Sequence, residues 1–446
     1  MATTYLTRAA TTGGSTTKGT FSAWIKRSEI SVEYPRLYTS YVNSTNWFEI
    51  YFKDDDRLAI YVYFNSTVRA DVVTTAKYRD TSGYYNIVVA CDTDQVTPAD
   101  RIKTYINGVQ ETAFDTATYP GSGDNMKFNG AANTDVIGRN QVSTNNYFNG
   151  LMTHIQWVDG AQLAPTEFGE VDATSGIWKI KTSCYATPGT NGFCLKMETT
   201  SGSGMGTDSS GNGNNFTENG SPTQAVDNPS NVMCTWNNLA QPNGTLSNGN
   251  TSNLSTEDTP GTLGVNTGKW FWETKRTNAT NSVHLGICSS KRGFNKTSAQ
   301  FLNGETDSVG ASIYVSETAV GNTSYADSNG AFSSTSYSGV STPSISNGDV
   351  VGCALDISTS SGTIEWFNNG VSFGSATFTY DDSVFVFPFI RINSGATTDT
   401  NFGNGYFGTT AVSSAGTSST GDDSIWEYDC PTGYYGLNTK NINTYG

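Results

Sequence analysis

One pattern occurs twice in the chain and limits what it can fold into. The first half contains Asn86–Asp92 followed by Thr104–Val109, and the second half contains Val350–Asp356 followed by Glu365–Val371. Each pair is an apolar run that ends in Asp, followed by an aromatic run that closes on Asn-Gly. Asn-Gly accepts the positive φ angles of a two-residue hairpin turn. The spacing is too long for a solenoid repeat, so the pattern predicts a similar antiparallel β plan in both halves.

Strand-like runs with turn residues between them recur through the rest of the chain. Aromatic residues make up 12% of the chain and charged residues only 15%, which favours strands over helices. We therefore expect an all-β protein with two antiparallel β-sandwich (jelly-roll) domains in tandem. The predicted runs are Thr20–Arg27, Trp47–Lys53, Arg57–Phe64, Tyr85–Asp92, Asp135–Gly138 and Asn149–Asp159, then Gly268–Glu273, Ser282–Cys288, Val309–Val315, Asp349–Ile357, Gly362–Phe373 and Val384–Ile392.

The clearest hairpin prediction is the strand before Asn107-Gly108. Alternation places Ile102, Thr104 and Ile106 on one face of this strand. Lys103 and Tyr105 then lie on the opposite face.

The domain boundary is predicted within a segment that has few apolar residues. Residues 199–268 are dominated by Ser, Gly, Asn, Thr and Pro. We place the connection near residue 230. The two predicted domains are therefore residues 1–230 and 231–446.

Charge and hydropathy argue against two classes of partner. The chain has 25 Lys and Arg against 40 Asp and Glu, a net charge of −15, so nucleic acid is not an expected partner. No apolar stretch is long enough to span a membrane. The first eight residues lack the apolar region of a signal peptide, and we expect none.

The cysteines favour a protein that folds in a reducing cytosol. Their number is odd, seven, and none forms a CxxC pair. Cys91 and Cys353 lie in apolar runs and are expected to be buried. Cys184 and Cys194 could meet across a hairpin, but we predict that they are free thiols.

The best candidate for a metal site is the segment that begins at Asp208. Oxygen-bearing side chains at Asp208, Ser210, Asn212 and Asn214, with Gly213 at the sixth position, match the first half of a calcium-binding loop. The twelfth position is Asn rather than Glu. The alternative is a Gly/Asn turn whose side chains bond their own backbone.

Catalytic patterns are sparse. Glu170 and Asp172 could supply the paired carboxylates of a retaining glycosidase, but a solvated loop is the preferred interpretation. His154 and His284 both lie in apolar strands, where a buried structural histidine is the default. The chain contains no phosphate-binding glycine loop or HExxH motif. Its Gly-x-Ser-x-Gly match, Gly370–Gly374, begins at an Asn-Gly turn between strand-like runs and not between a strand and a helix, so it does not predict a nucleophile elbow. We therefore predict a protein that is not an enzyme.

Three aromatic pairs could stack on the apolar faces of sugar rings. The alternative for each pair is one core ring and one ring that covers an interface. The pairs are Tyr84-Tyr85, Tyr147-Phe148 and Tyr434-Tyr435.

An ordered series of short motifs resembles known domain families. The first series resembles concanavalin A-like/laminin-G domains of phage structural proteins, and the second resembles a SPRY domain. The first consists of Phe21–Ser28, Tyr85–Ala90, Tyr105–Gly108, Ile137–Arg139, Gly150–Gly160, Leu163–Gly169, Thr190–Phe193 and Asp208–Asn214. The second consists of Gly268–Glu273, Asn347–Gly352, Phe367–Val371 and Asn401–Gly403, and the segment Pro431–Asn438 is similar to the end of such proteins.

The resemblance implies a structural or adhesive virion protein of a tailed bacteriophage. A tail fibre or appendage that binds host-surface glycan is the leading expectation, and a capsid decoration or head-fibre protein is the alternative. A polysaccharide depolymerase is a third hypothesis. The resemblance also implies a homotrimer that contacts other virion proteins and is assembled in the bacterial cytoplasm. It brings no catalytic residues.

Overall fold

The computed structural model divides into two compact units, Met1–Ala225 and Val226–Gly446. It describes residues 3–10, 12–198, 204–240, 245–254, 258–278, 281–289, 310–315, 324–328, 331–335, 339–341, 343–359, 361–379, 383–392, 395–413 and 416–446. Val309, the first residue of one predicted strand, and parts of the segment 199–268 lie outside these ranges.

The first unit contains two large antiparallel sheets that face each other across one core, and a separate two-stranded sheet formed by residues 169–171 and 178–180. Its strands are β1 (Tyr5–Ala9), β2 (Lys18–Arg27), β3 (Arg36–Asn43), β4 (Asn46–Phe52), β5 (Arg57–Phe64), β6 (Thr67–Lys77), β7 (Tyr85–Asp92), β8 (Ile102–Ile106), β9 (Val109–Gln110), β10 (Phe114–Thr118), β11 (Thr134–Ile137), β12 (Gly150–Asp159), β13 (Gly169–Val171), β14 (Trp178–Ile180), β15 (Phe193–Leu195) and β16 (Thr217–Asn219). The first sheet has the order β10-β6-β5-β4-β3-β11-β1-β16, and the second has the order β15-β12-β2-β7-β8-β9. Single 3-10 turns lie at Pro98–Asp100 and Pro165–Glu167.

Alternation along the strands builds the core of this unit. In β8, Ile102, Thr104 and Ile106 are buried, as predicted, while Lys103 and Tyr105 are half-buried on the other face. The core aromatic rings pack around Trp157 on β12, whose ring centroid lies 4.9 Å from that of Phe128 and 5.3 Å from that of Tyr38; a ring contact of this kind adds about 1 kcal/mol beyond the burial of its area.

A buried ion pair ties the start of β5 to β2. Arg27 and Asp56 have fully buried side chains, and their Nη2 and Oδ1 atoms are 2.9 Å apart. Arg79 Nε donates to the other oxygen of Asp56 at 2.8 Å, and Ser31 donates through its backbone N–H and its hydroxyl. Asp56 adopts a φ of 74°, so these contacts also fix a left-handed turn.

The prediction for Cys184 and Cys194 was wrong. The two residues form a disulfide, with Cα atoms 5.9 Å apart. The closure works because Cys194, on β15, is held at the sheet edge beside β12, and the polar segment before it returns to that edge. The five other cysteines are buried and lie outside the disulfide.

The second unit also contains two large sheets, antiparallel except for one strand pair, and a separate two-stranded sheet formed by residues 406–407 and 410–411. Its strands are β17 (Leu246–Ser247), β18 (Ser252–Asn253), β19 (Asp258–Pro260), β20 (Lys269–Asn278), β21 (Val283–Ser289), β22 (Gly310–Val315), β23 (Ser324–Ser328), β24 (Ala331–Thr335), β25 (Val350–Asp356), β26 (Ser361–Asn368), β27 (Val371–Thr379), β28 (Val386–Ile392), β29 (Thr397–Asn401), β30 (Tyr406–Phe407), β31 (Thr410–Ala411) and β32 (Tyr435–Gly436). One sheet has the order β17-β18-β29-β20-β25-β26-β27, with β32 pairing β20 in parallel, and the other has the order β19-β28-β21-β22-β23-β24. A 3-10 turn lies at Asn238–Ala240, and α1 spans Thr439–Tyr445.

The two Asn-Gly turns have the same geometry. Asn107 and Gly108 have φ values of 48° and 80°, and Asn369 and Gly370 have 49° and 80°, as a type I′ turn requires. In each turn the Asn side-chain oxygen accepts from the backbone N–H of the neighbouring strand, at 2.8 Å and 2.9 Å. The duplicated pattern is therefore one local structure used in both units.

The all-β prediction is confirmed, and two local differences stand out. The run predicted as Gly362–Phe373 is two strands joined by the second of these turns. The polar segment around the predicted boundary at residue 230 contributes short strands to sheet edges of both units, β16 to the first and β17 to β19 to the second. Among the described residues, no helix is long and apolar enough to cross a membrane.

Candidate functional site

The outer face of the first sheet carries half-buried aromatic side chains on neighbouring strands. Along β4, Phe48, Ile50 and Phe52 point into the core, so Trp47 and Glu49 point outward. The same alternation along β5 buries Ile60 and Val62 and turns Tyr61 and Tyr63 outward. This placement follows directly from the alternating pattern of the two strands.

Strand register aligns these side chains in two neighbouring rows. One row crosses β3, β4 and β5 as Tyr41, Trp47 and Tyr63, and the other crosses β4, β5 and β6 as Glu49, Tyr61 and Asp71. We call these six residues the aromatic face. All of them except Glu49 are half-buried, so the rings keep solvent-accessible surface.

The rings of the aromatic face pack against one another. The centroids of Trp47 and Tyr63 lie 4.4 Å apart, and those of Tyr61 and Tyr63 lie 6.4 Å apart with planes only 12° from parallel. Mutual packing fixes the ring orientations and reduces the entropy lost when a ligand stacks on them. The rings therefore form a preorganised platform.

Asp71 is the carboxylate of the aromatic face that forms no salt bridge among the described residues. It lies opposite Tyr61 in the register, and no described residue donates a hydrogen bond to its carboxylate. Partial burial raises the pKa of Asp71, and Lys53 opposes this effect. A desolvated carboxylate without a donor is an acceptor ready for a ligand hydroxyl or N–H group.

A buried ion pair supports the same face from one side. Arg36 Nη2 donates to Glu49 Oε2 at 3.2 Å, and its guanidinium lies 4.3 Å from the centroid of the Tyr51 ring. Glu49 is 3% exposed, and its other oxygen has no partner among the described residues. Glu49 lies opposite Tyr61 in the strand register, and Arg36 lies over the Tyr51 ring, so the pair restrains side chains next to the aromatic rings.

The outer face of the second sheet differs because its own chain covers it. Val88 and Val158 form a buried cluster with Phe168, and Leu163 and Tyr185 pack against it. The segment that follows β12 therefore hides this face of the second sheet.

The Asp208 loop holds its predicted residues together through hydrogen bonds. Asp208 Oδ1 accepts from the backbone N–H groups of Cys194 and Ser210, and Oδ2 accepts from the Ser210 hydroxyl and the Asn214 N–H, all at 2.8–2.9 Å. The side-chain amides of Asn212 and Asn214 donate to backbone oxygens between residues 189 and 192. These contacts match the self-bonded turn, and calcium at this loop stays a prediction.

The carboxylates considered for glycosidase chemistry lie at the surface. Lys179 Nζ is 3.2 Å from Glu170 and 3.4 Å from Asp172. Asp172 also accepts from the backbone N–H groups of Ser175 and Thr174, which lowers its pKa to about 2. The low pKa of Asp172 leaves this carboxylate without a proton for general acid catalysis at neutral pH.

Both histidines are buried, as expected. His154 is 7% exposed and lies at the bulge between β12 and β2, with burial lowering its pKa. Burial and the nearby Arg391 lower the pKa of His284 to about 3. Among the described residues, no group of three or more His, Cys, Asp and Glu side chains could hold a metal ion.

In each of the three aromatic pairs named from the sequence, one ring packs on a ring outside its own pair. Tyr85 packs on Tyr78, Tyr147 packs on Tyr5, and Tyr435 stacks on Tyr445 at 3.6 Å. The sequence interpretation looked for adjacent aromatic residues, but in none of the three pairs do both residues lie on a strand. The signal for the aromatic face was the i, i+2 spacing of Tyr61 and Tyr63.

In the second unit, Glu273 on β20 anchors the segment that follows β31. It is fully buried and accepts from the backbone N–H groups of Glu427 and Tyr428 at 3.0 Å and 2.9 Å and from Asn401 Nδ2 at 3.1 Å. Trp426 packs on Phe271 of the same strand, with centroids 4.9 Å apart. Burial outweighs the three donors and raises the pKa of Glu273 to about 7.

Comparison with known proteins identifies a family for part of each unit. Residues 2–166 match the concanavalin A-like lectin/glucanases superfamily, and residues 269–405 match the SPRY domain. No curated protein sequence matches the chain.

Similar solved structures include a TRIM65 PSpry domain, with 15% identity, 38% of this chain and 91% of that chain covered, and a TM-score of 0.27. A native heptameric SAP-like pentraxin from Limulus polyphemus has 17% identity, 36% and 71% coverage, and a TM-score of 0.28. A human SPRY domain has 14% identity, 34% and 90% coverage, and a TM-score of 0.23.

Proposed function

We propose that this chain, which carries a concanavalin A-like domain followed by a SPRY domain, is a non-enzymatic adhesive component of a tailed-phage virion. In this proposal it is a tail fibre or appendage protein, works as a homotrimer beside other virion proteins, and contacts glycan on the host surface.

The aromatic face is the observation that carries the adhesive part of the proposal. Its rings are preorganised by mutual packing, and they lie beside an unengaged carboxylate at Asp71. A pyranose ring has apolar C–H faces and a rim of hydroxyl groups, so rings and a carboxylate acceptor together match its chemistry. The virion part rests on the ordered series of motifs that resembles phage structural proteins.

Binding to host cells tests the adhesive role. Fluorescently labelled full-length protein is expected to bind host cells, and free host glycan is expected to compete. Trp47→Ala should reduce binding at least tenfold, because loss of one central ring of an interface commonly removes more than 1 kcal/mol. Tyr105→Ala, on the covered second sheet, is the matched control. Equal binding by wild type and Trp47→Ala would contradict the role of this face.

The location in the particle is tested separately. Mass spectrometry of purified virions should contain peptides of this chain, and labelled antibody should mark the tail in electron micrographs. Label on the head surface would instead support a capsid decoration protein. Absence of the peptides from the particles would refute the virion role.

The non-enzymatic part is tested with host polysaccharide. We expect no new reducing ends after incubation with the purified protein. Turnover that disappears in Glu170→Gln would show that the protein is a depolymerase.

A further inference from the structure

We infer that the ligand of the aromatic face is a neutral oligosaccharide, with sugar rings stacked on Trp47, Tyr61 and Tyr63 and a sugar hydroxyl donating to Asp71. This inference rests on the proposed adhesive function and adds the ligand class. It includes discrimination against glycans that carry carboxylate or sulfate groups.

The dimensions of the face favour a short chain of sugars over a single one. Its residues lie on four adjacent strands, β3 to β6, in continuous register. Adjacent strands are about 4.8 Å apart, so the face extends about 14 Å across the sheet. The Trp47 and Tyr61 centroids are 6.5 Å apart, which places two rings under neighbouring parts of such a chain.

The hydrogen-bonding groups of the face match hydroxyl groups. Asp71 can only accept while it is ionised, and the hydroxyls of Tyr61 and Tyr63 can donate or accept. None of the three makes a hydrogen bond within the described residues. A sugar hydroxyl donates to the carboxylate without bringing a second charge into a partly desolvated site.

The charges around the face disfavour an acidic ligand. Arg36 is engaged with Glu49, and Arg57 bonds Asp55 and Asp115. The unengaged Asp71 would lie beside any acidic group that stacked on Tyr61. The net charge of −15 adds a long-range repulsion of polyanions.

Two other cations near the aromatic face lie against aromatic rings. Lys53 Nζ lies 5.8 Å from the Tyr34 ring, and the Arg69 guanidinium lies 5.6 Å from the Phe64 ring. Both contacts are with rings outside the aromatic face. The charge of Lys53 still acts on Asp71, where it opposes the rise in pKa caused by burial.

Calorimetric titration of the full-length protein tests the ligand class. The probes are neutral hexose and N-acetylhexosamine oligosaccharides and matched uronate-containing oligosaccharides. We expect binding of at least one neutral series and at least tenfold weaker binding of its uronate counterpart. Trp47→Ala should weaken neutral binding at least tenfold.

Asp71→Asn tests the contribution of the carboxylate to binding separately from that of the rings. It should weaken neutral binding about tenfold, since hydrogen bonds to charged groups contribute more than neutral ones, and should improve uronate binding. Asp100→Asn, which removes one surface charge beside Lys103 at the second sheet, is the control and should change neither. Circular dichroism of each variant establishes that it is folded.

The outcomes distinguish this inference from the proposed function. Tighter binding of uronates than of neutral sugars, or no effect of Asp71→Asn, would overturn the inference. The adhesive role would still be supported if Trp47→Ala reduced cell binding. Cell binding insensitive to Trp47→Ala would refute both. Dissociation of an oligomer by Trp47→Ala in sedimentation would identify the face as an interface between copies and overturn the inference.

Discussion

Glu273 makes the stability of the second unit depend on pH in an unusual direction. Its carboxyl group is fully buried, and its pKa is raised from the usual 4.5 to about 7. The folded state therefore holds the proton more tightly than the unfolded state. The stabilisation is fully present below about pH 4.5 and is lost as the pH rises through about 7.

The magnitude follows from the two pKa values. Their difference corresponds to about 3 kcal/mol of unfolding free energy. Glu273→Gln mimics the neutral group at every pH, although its amide faces backbone N–H donors and costs about 1 kcal/mol at all pH values. The unfolding free energy of the variant relative to that of wild type should therefore rise by about 3 kcal/mol as the pH increases from about 4 to about 8.

Urea denaturation followed by tryptophan fluorescence measures this difference. Trp426 lies in the segment that Glu273 anchors, so the probe reports on the relevant unit. Titration of the other carboxyl groups is common to both proteins and cancels. The half-buried Glu365, changed to Gln, is the control and should show no such gain. A wild type whose stability relative to Glu273→Gln rises with pH would refute the reasoning, because the three donors would then outweigh burial.

Three other predictions concern the first unit. Asp56→Ala should lower its unfolding free energy by about 3–5 kcal/mol in urea denaturation, because Arg27 is left buried without its partner; a loss under 1 kcal/mol would contradict this. Replacing both Cys184 and Cys194 with Ser should cost about 2–3 kcal/mol, as expected for a short closed loop, and unchanged stability under reducing conditions would show that the bridge is not formed. If the Asp208 loop binds calcium, micromolar calcium should raise the melting temperature relative to chelator, and the rise should disappear in Asp208→Ala; no difference would remove the calcium hypothesis.

The sequence predicted the fold well where strands alternate or end in a specific turn. The strands around Asn107-Gly108 and Asn369-Gly370 were identified because the turn chemistry is specific and local. Short edge strands such as β16 were not, because three polar residues carry no periodic signal and pair only when β1 is already in place.

The site was harder to predict for a physical reason. The rings of Trp47 and Tyr63 lie 16 positions apart in the chain and meet only through the register of β4 and β5. Sequence spacing could have shown that Tyr61 and Tyr63 share a face, but it does not show which sheet face the rest of the chain leaves uncovered. The disulfide was missed for the same reason, since the odd cysteine count does not show which thiols meet at a sheet edge.

The two Asn-Gly turns are also sites of chemical degradation by deamidation. An asparagine before glycine is prone to deamidation, because the following backbone nitrogen attacks the carbon of the side-chain amide, expels its nitrogen as ammonia and forms a cyclic imide that water then opens. Opening of the imide to isoaspartate adds a backbone atom, which a two-residue turn cannot absorb without shifting the register of β8 or β26. The hydrogen bonds that hold the Asn107 and Asn369 oxygens to the neighbouring strand restrain these side chains, so folding and chemical durability depend on the same two contacts.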